Sequence, residues 1–248
     1  MERQLAAAAL DDMYHEHRNE LHAMAMTSIE ELIEQLAHPN VLGRPDSDRK
    51  PGEMDDEAEQ RGATLLRVKA AQMVAVLLED LINDITAEEA ANAVWLGASL
   101  ADLGSASGST RQAARKRWPD LGQIYRMRRW LSGHYEDILK IAGWLSADRR
   151  FMEPKKHVTQ DIFDSAFELL DKDIALVNAD FQSGSMVAKG EKPDTQIIRW
   201  QRLNELADKR IRLVVDLIVP TTPEARYSVE GAMGMLAYYD TVNAAPSR

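Results

Sequence analysis

An all-α, multi-helical fold is what this sequence predicts, on three observations. Apolar residues recur at steps of three and four in segment after segment, which is the spacing of one helix face. Sustained period-two alternation is missing, and no Asn-Gly or Asp-Gly turn joins two apolar runs, so hairpins have no signal. The 248 residues are 45% hydrophobic and include no cysteine, enough apolar surface for a core without disulfide staples.

In chain order, the spacing predicts a first helix over 5–37, and the Pro- and charge-rich stretch 38–55 reads as a flexible connection. A second helix is expected over 57–83. A third is expected over 86–96, because Thr86-Ala-Glu-Glu89 has the form of a capping box. Short helices follow at 100–105 and 110–118, the latter stopped by Pro119. A long, partly basic helix spans 120–145, and others span 159–181, 194–219 and 223–242. The late helices carry near-heptad, coiled-coil-like stripes: Phe163, Phe167, Leu170, Ile174, Val177 and Phe181 in one, Leu203, Ala207, Val214 and Leu217 in the other. Such stripes serve either packing within the chain or a seam between two copies. Three regions result: an acidic N-terminal helix and linker (1–56), a central region (57–150), and a C-terminal region for packing or dimerisation (151–248).

Composition narrows the function classes. No cysteine means no thiolate nucleophile and no Cys-ligated metal, and it fits a reducing cytoplasm. The longest apolar stretch, Met73–Leu78, is far short of the roughly 18 residues of a membrane span. The start, Met1-Glu2-Arg3-Gln4, lacks the basic region of a secretory signal. A cytoplasmic protein without a membrane partner is therefore expected. Net charge is −10 overall but unevenly placed: residues 1–60 hold 5 basic and 15 acidic side chains, whereas residues 105–130 hold 7 basic and 1 acidic. That basic island gives an acidic chain a local electrostatic footprint.

The island lies in Leu96-Gly-Ala-Ser-Leu-Ala-Asp-Leu-Gly-Ser-Ala-Ser-Gly-Ser-Thr-Arg-Gln-Ala-Ala-Arg-Lys-Arg-Trp118. After the Gly97 break, Ser99 with Asp102 three residues on suits a helix N-cap. Gly104 lets a following helix approach closely, and Gly108 suits a tight turn needing positive φ. Ser109 or Thr110 then caps a second helix, with Ala113 and Ala114 inward, Arg111, Gln112, Arg115 and Lys116 outward, and Trp118 anchoring the end.

These residues resemble a bacterial helix-turn-helix, in particular the subset written Gly-Ala-Ser-x-Ala-x-(Leu/Ile)-Gly … Gly-x-(Ser/Thr)-Arg-Gln-Ala-Ala-x-x-Arg-(Trp/Phe). The likeness covers residues 97–118, under a tenth of the chain. Ser107 and Ser109 depart from it, standing where such motifs carry apolar residues beside the turn glycine. The resemblance implies that the helix Thr110–Arg117 enters the major groove of double-stranded DNA. Arg111 and Gln112 suit base edges, Thr110, Arg115 and Lys116 suit bases and backbone, and Arg117 suits either DNA or a salt bridge within the motif. The next helix adds Arg126, Arg128 and Arg129. Neighbouring residues diverge by about 100°, so at most two of these share a DNA-facing side; Arg126 and Arg129 are the pair taken as phosphate contacts. The expectation is a sequence-specific transcriptional regulator, not an enzyme, acting as a homodimer with no cofactor and no metal.

Other constellations are weaker. An adaptor whose acidic N-terminal segment binds a basic protein partner is the alternative. Glu30-Glu31-x-x-Glu34 and Glu79-Asp80-x-x-Asn83-Asp84 bear a slight likeness to the Mg²⁺-dependent all-α nucleotide pyrophosphohydrolases. His15 and His17 diverge on a helix and cannot clasp one ion, although His15 and His22 share a face. No Gly-x-Ser-x-Gly elbow accompanies His134 or His157, and Gly104-x-x-x-Gly108 lacks the Lys of a phosphate loop. The methionines, Met24, Met26, Met233 and Met235 among them, read as core filler.

Overall fold

The computed structural model describes residues 2–37, 56–181 and 192–244. The expected flexible connection at 38–55 lies outside them. The described chain is all-α apart from one tiny sheet: α1 (Glu2–Ala37), α2 (Asp56–Trp95), α3 (Leu100–Ala106), α4 (Arg111–Arg117), α5 (Leu121–Ala147), β1 (Met152–Pro154), α6 (Gln160–Phe181), α7 (Pro193–Glu205), α8 (Arg212–Leu217), β2 (Ile218–Pro220) and α9 (Pro223–Asn243). Among the described residues, no helix is long and apolar enough to cross a membrane.

The second and third expected helices are one. α2 runs through 83–86 without a break, and Thr86 does not cap a new helix: its hydroxyl donates back to the Ile82 carbonyl at 2.6 Å. With no Gly or Pro nearby, that back-bond leaves the helix intact. Two compact units divide within this helix, residues 1–87 and 88–248.

In the first unit an ion pair joins Arg67 of α2 to Glu34 of α1. Among its described residues Ala70 and Val74 are the buried apolar side chains, while Met24 and Met26, expected as filler, are exposed. Glu30, Glu31, Glu79, Asp80 and Asp84 are likewise exposed, and no group of three His, Asp or Glu among the described residues is placed to hold a metal ion.

The second unit is a packed helical body. α5 lies against α6 and α9, and α6 lies against α7 and α8. Both late stripes are consumed here: Phe163, Phe167, Leu170, Val177, Leu203, Ala207 and Val214 are buried in one core, with Ile174, Phe181 and Leu217 packed against it. The expected single helix over 194–219 is instead α7, a π-helical turn at Leu206–Ile211, and α8. The wider turn coincides with Leu206, Ala207 and Ile211 all being fully buried. The chain then straightens into β2, which pairs antiparallel with β1, Glu153 opposite Val219. This pairing was not expected, since three-residue strands carry no periodic signal. Met233 is exposed and not filler, whereas Met235 packs against the core.

Candidate nucleic-acid interface

The chain leaves α2 through Gly97 at φ 100°, a left-handed conformation that favours glycine. Ser99 caps α3 reciprocally: its hydroxyl accepts from the Asp102 N–H at 3.2 Å, and the Asp102 carboxylate accepts from the Ser99 N–H at 2.8 Å. At the far end Gly108 adopts φ 61°, and the Ser109 N–H donates to the Gly104 carbonyl at 2.7 Å.

Ser107 and Ser109 close this turn with hydroxyls in place of apolar contact. Ser107 Oγ donates to the Leu103 carbonyl at 2.9 Å and lies 2.8 Å from Ser109 Oγ. Thr110, not Ser109, caps α4, accepting from the Ala113 N–H at 3.1 Å. Gly104 is the close approach. A Cβ built there would stand 2.9 Å from both the Arg111 nitrogen and the Thr110 carbonyl carbon.

A small separate core holds the two helices: Ala90, Val94, Leu100, Leu103, Ala114, Trp118 and Leu121. Only one residue of α4 is buried in it, Ala114; the expected inward partner Ala113 is exposed, because neighbours on a helix diverge by about 100°. Thr110, Arg111, Gln112, Arg115, Lys116 and Arg117 are all exposed. Thr110, Gln112, Ala113, Arg115 and Lys116 line one open concavity. The Arg117 guanidinium lies 5.0 Å over the Trp118 ring, so this cation is engaged within the motif. α4 thus presents Arg111, Gln112, Arg115 and Lys116 together, with cations grouped in its last turn where the helix dipole favours them.

The arginines of α5 part company. Arg126 is turned to the end of α9, where its Nε donates to the Val242 carbonyl at 3.2 Å and its Nη2 to the Ala244 carbonyl at 3.4 Å. The guanidinium expected at a phosphate is thus bound to two carbonyls at the end of α9. Arg129 is exposed. Arg128 is the residue that sequence reasoning passed over. Its guanidinium sits 3.3 Å from the centre of the Trp200 ring, and its Nε donates to the Trp95 carbonyl at 2.8 Å. Burial lowers its pKa to about 10. Arg128 therefore ties the end of α2 and the face of α7 to α5. A signal existed: Leu121, Ile124, Arg128, Leu131 and Tyr135 fall at steps of three and four, so Arg128 stands on the inward stripe of α5.

No known protein family, curated protein or solved structure matches this chain.

Proposed function

We propose that this chain is a sequence-specific DNA-binding protein, a cytoplasmic transcriptional regulator acting as a dimer rather than an enzyme. One observation carries the reading: α4 is capped by Thr110, held by Gly104 and Ala114, and turns Arg111, Gln112, Arg115 and Lys116 outward on one short helix. Arg111 and Gln112 have the donors and acceptors to pair with guanine and adenine edges in the major groove. Arg115, Lys116 and, from α5, Arg129 supply phosphate contacts that set affinity and its salt dependence. Two such helices on a two-fold axis read two half-sites, and so reach a specificity that one seven-residue helix does not.

Selection from random duplexes tests this, with wild type and Arg111→Ala/Gln112→Ala run in parallel at about 150 mM salt. A motif enriched by wild type and lost in the variant is the expected result. The absence of any enriched motif with wild type would sink the reading.

A further inference from the structure

Among the described residues of the first unit, much apolar surface lies in water: seven large apolar side chains of α1 and nine of α2 are exposed, among them Leu65, Val76, Ile82 and Ile85 at 60% or more. On α2 the positions Val68, Ala71, Ala75, Leu78, Ile82 and Ile85 keep strict steps of three and four. Leu66, Met73, Leu77 and Leu81 fall on a second side of the same helix. A helix apolar on more than one side belongs inside a bundle, and α1 alone does not cover it.

The charges say what covers it. From 60 to 78, α2 carries three basic residues, Arg61, Arg67 and Lys69, and no acidic one; from 79 to 89 it carries five acidic residues, Glu79, Asp80, Asp84, Glu88 and Glu89, and no basic one. Such a helix complements its own antiparallel copy and repels a parallel one. Residues 10–37 carry seven acidic and one basic side chain, which disfavours an anionic lipid surface or nucleic acid as the cover.

We infer that α2 pairs antiparallel with α2 of a second copy, about a two-fold axis between Val74 and Ala75. The pairing rests on the dimeric part of the reading above and moves the dimer seam away from the late helices, whose stripes are buried within the chain. With this axis Lys69 comes level with Asp80 of the partner subunit, and Arg61 falls about one turn from Asp84 of the partner subunit.

The cysteine-free chain permits a direct test on the full-length protein. Sedimentation at about 10 µM without DNA is expected to give twice the chain mass. Spin labels on Ala75→Cys should lie within about 20 Å of each other, and labels on Gln60→Cys about 45 Å apart. Lys69→Glu should weaken the dimer about tenfold, and Lys69→Glu/Asp80→Lys should restore it. A monomer, close Gln60 labels, or a double variant no better than the single one would overturn the pairing. The readouts are separable: a monomer that still selects a motif removes the pairing alone, and a dimer that selects none removes the DNA reading alone.

Discussion

Phe167 and Ile82 are both large apolar residues in the middle of long helices, yet Phe167 is fully buried and Ile82 is 60% exposed. The first stands in the interlocked helices of residues 88–248, where each apolar stripe meets another from the same chain. The second stands on α2, where, among the described residues of 1–87, large apolar side chains stay exposed on more than one side of the helix. The comparison teaches that one helical period serves two ends. In the second unit it closes a core, and in the first it presents a surface.

The largest effect to expect lies on the core side of that contrast. Phe167→Ala should lower stability by about 3–5 kcal/mol, through lost transfer energy and the cavity left behind. Ile82→Ala, measured at concentrations where the chain is monomeric, should cost under about 1 kcal/mol. Thermal unfolding followed by tryptophan fluorescence and circular dichroism checks both, and equal losses would break the contrast.

Alkaline unfolding sharpens it. Burial first, and then the Asp208 carboxylate, push the Tyr239 hydroxyl above its ordinary range, with the Asp240 carboxylate adding to this while Arg212 and the bond to Asn204 oppose it. A phenol whose folded pKa is raised stabilises fully below its unfolded value of about 10, and that stability is lost as pH rises above it. Tyr239→Phe should therefore flatten the fall in stability above about pH 10. A fall as steep as that of wild type would count against this origin.

A pair of glycines gives the next largest contrast. At Gly104 an added Cβ meets the backbone of Ser109, Thr110 and Arg111, so Gly104→Ala should cost about 1–3 kcal/mol and weaken DNA binding by displacing α4. Nothing lies near Gly62 on α2, and Gly62→Ala should stabilise the helix by about 0.5–1 kcal/mol. Opposite signs in one denaturation series are the expected outcome.

Smallest of all is the divergence of two arginines on α5. Arg126→Ala should cost about 0.3–1 kcal/mol by removing the cap on α9, with the salt dependence of DNA binding unchanged. Arg129→Ala should leave stability unchanged and reduce the salt slope by about one ion. Binding titrations from about 50 to 200 mM salt separate them.

What the sequence made legible was short in range. The Ser99–Asp102 box, the Gly104 approach and the positive φ of Gly108 all act within a few residues of themselves, so residue type and spacing suffice, whereas between Ser109 and Thr110 as the cap of α4 only the structure decides. The contacts of Arg126 are not legible in this way, because its partners, Val242 and Ala244, lie more than a hundred residues along the chain. The break foreseen at Thr86 failed because a threonine hydroxyl serves a cap and a back-bond equally well, and only the preceding turn decides. The stripes of α6, α7 and α8 were visible as stripes, but a heptad does not say whether its complement is in the same chain. The π-helical turn and the two short strands depend on contacts that form only once the core has closed.

The hydroxyl closure of the turn at 107–109 has a consequence for how easily α4 can be released. Water can take over each bond made by Ser107 and Ser109 as the turn opens, whereas apolar residues in their places would be forced to expose surface. Opening of the turn itself therefore exposes less apolar surface than opening of the core around Phe167 would. The helix that carries Arg111 and Gln112 is thus fastened by a latch that solvent can undo and remake.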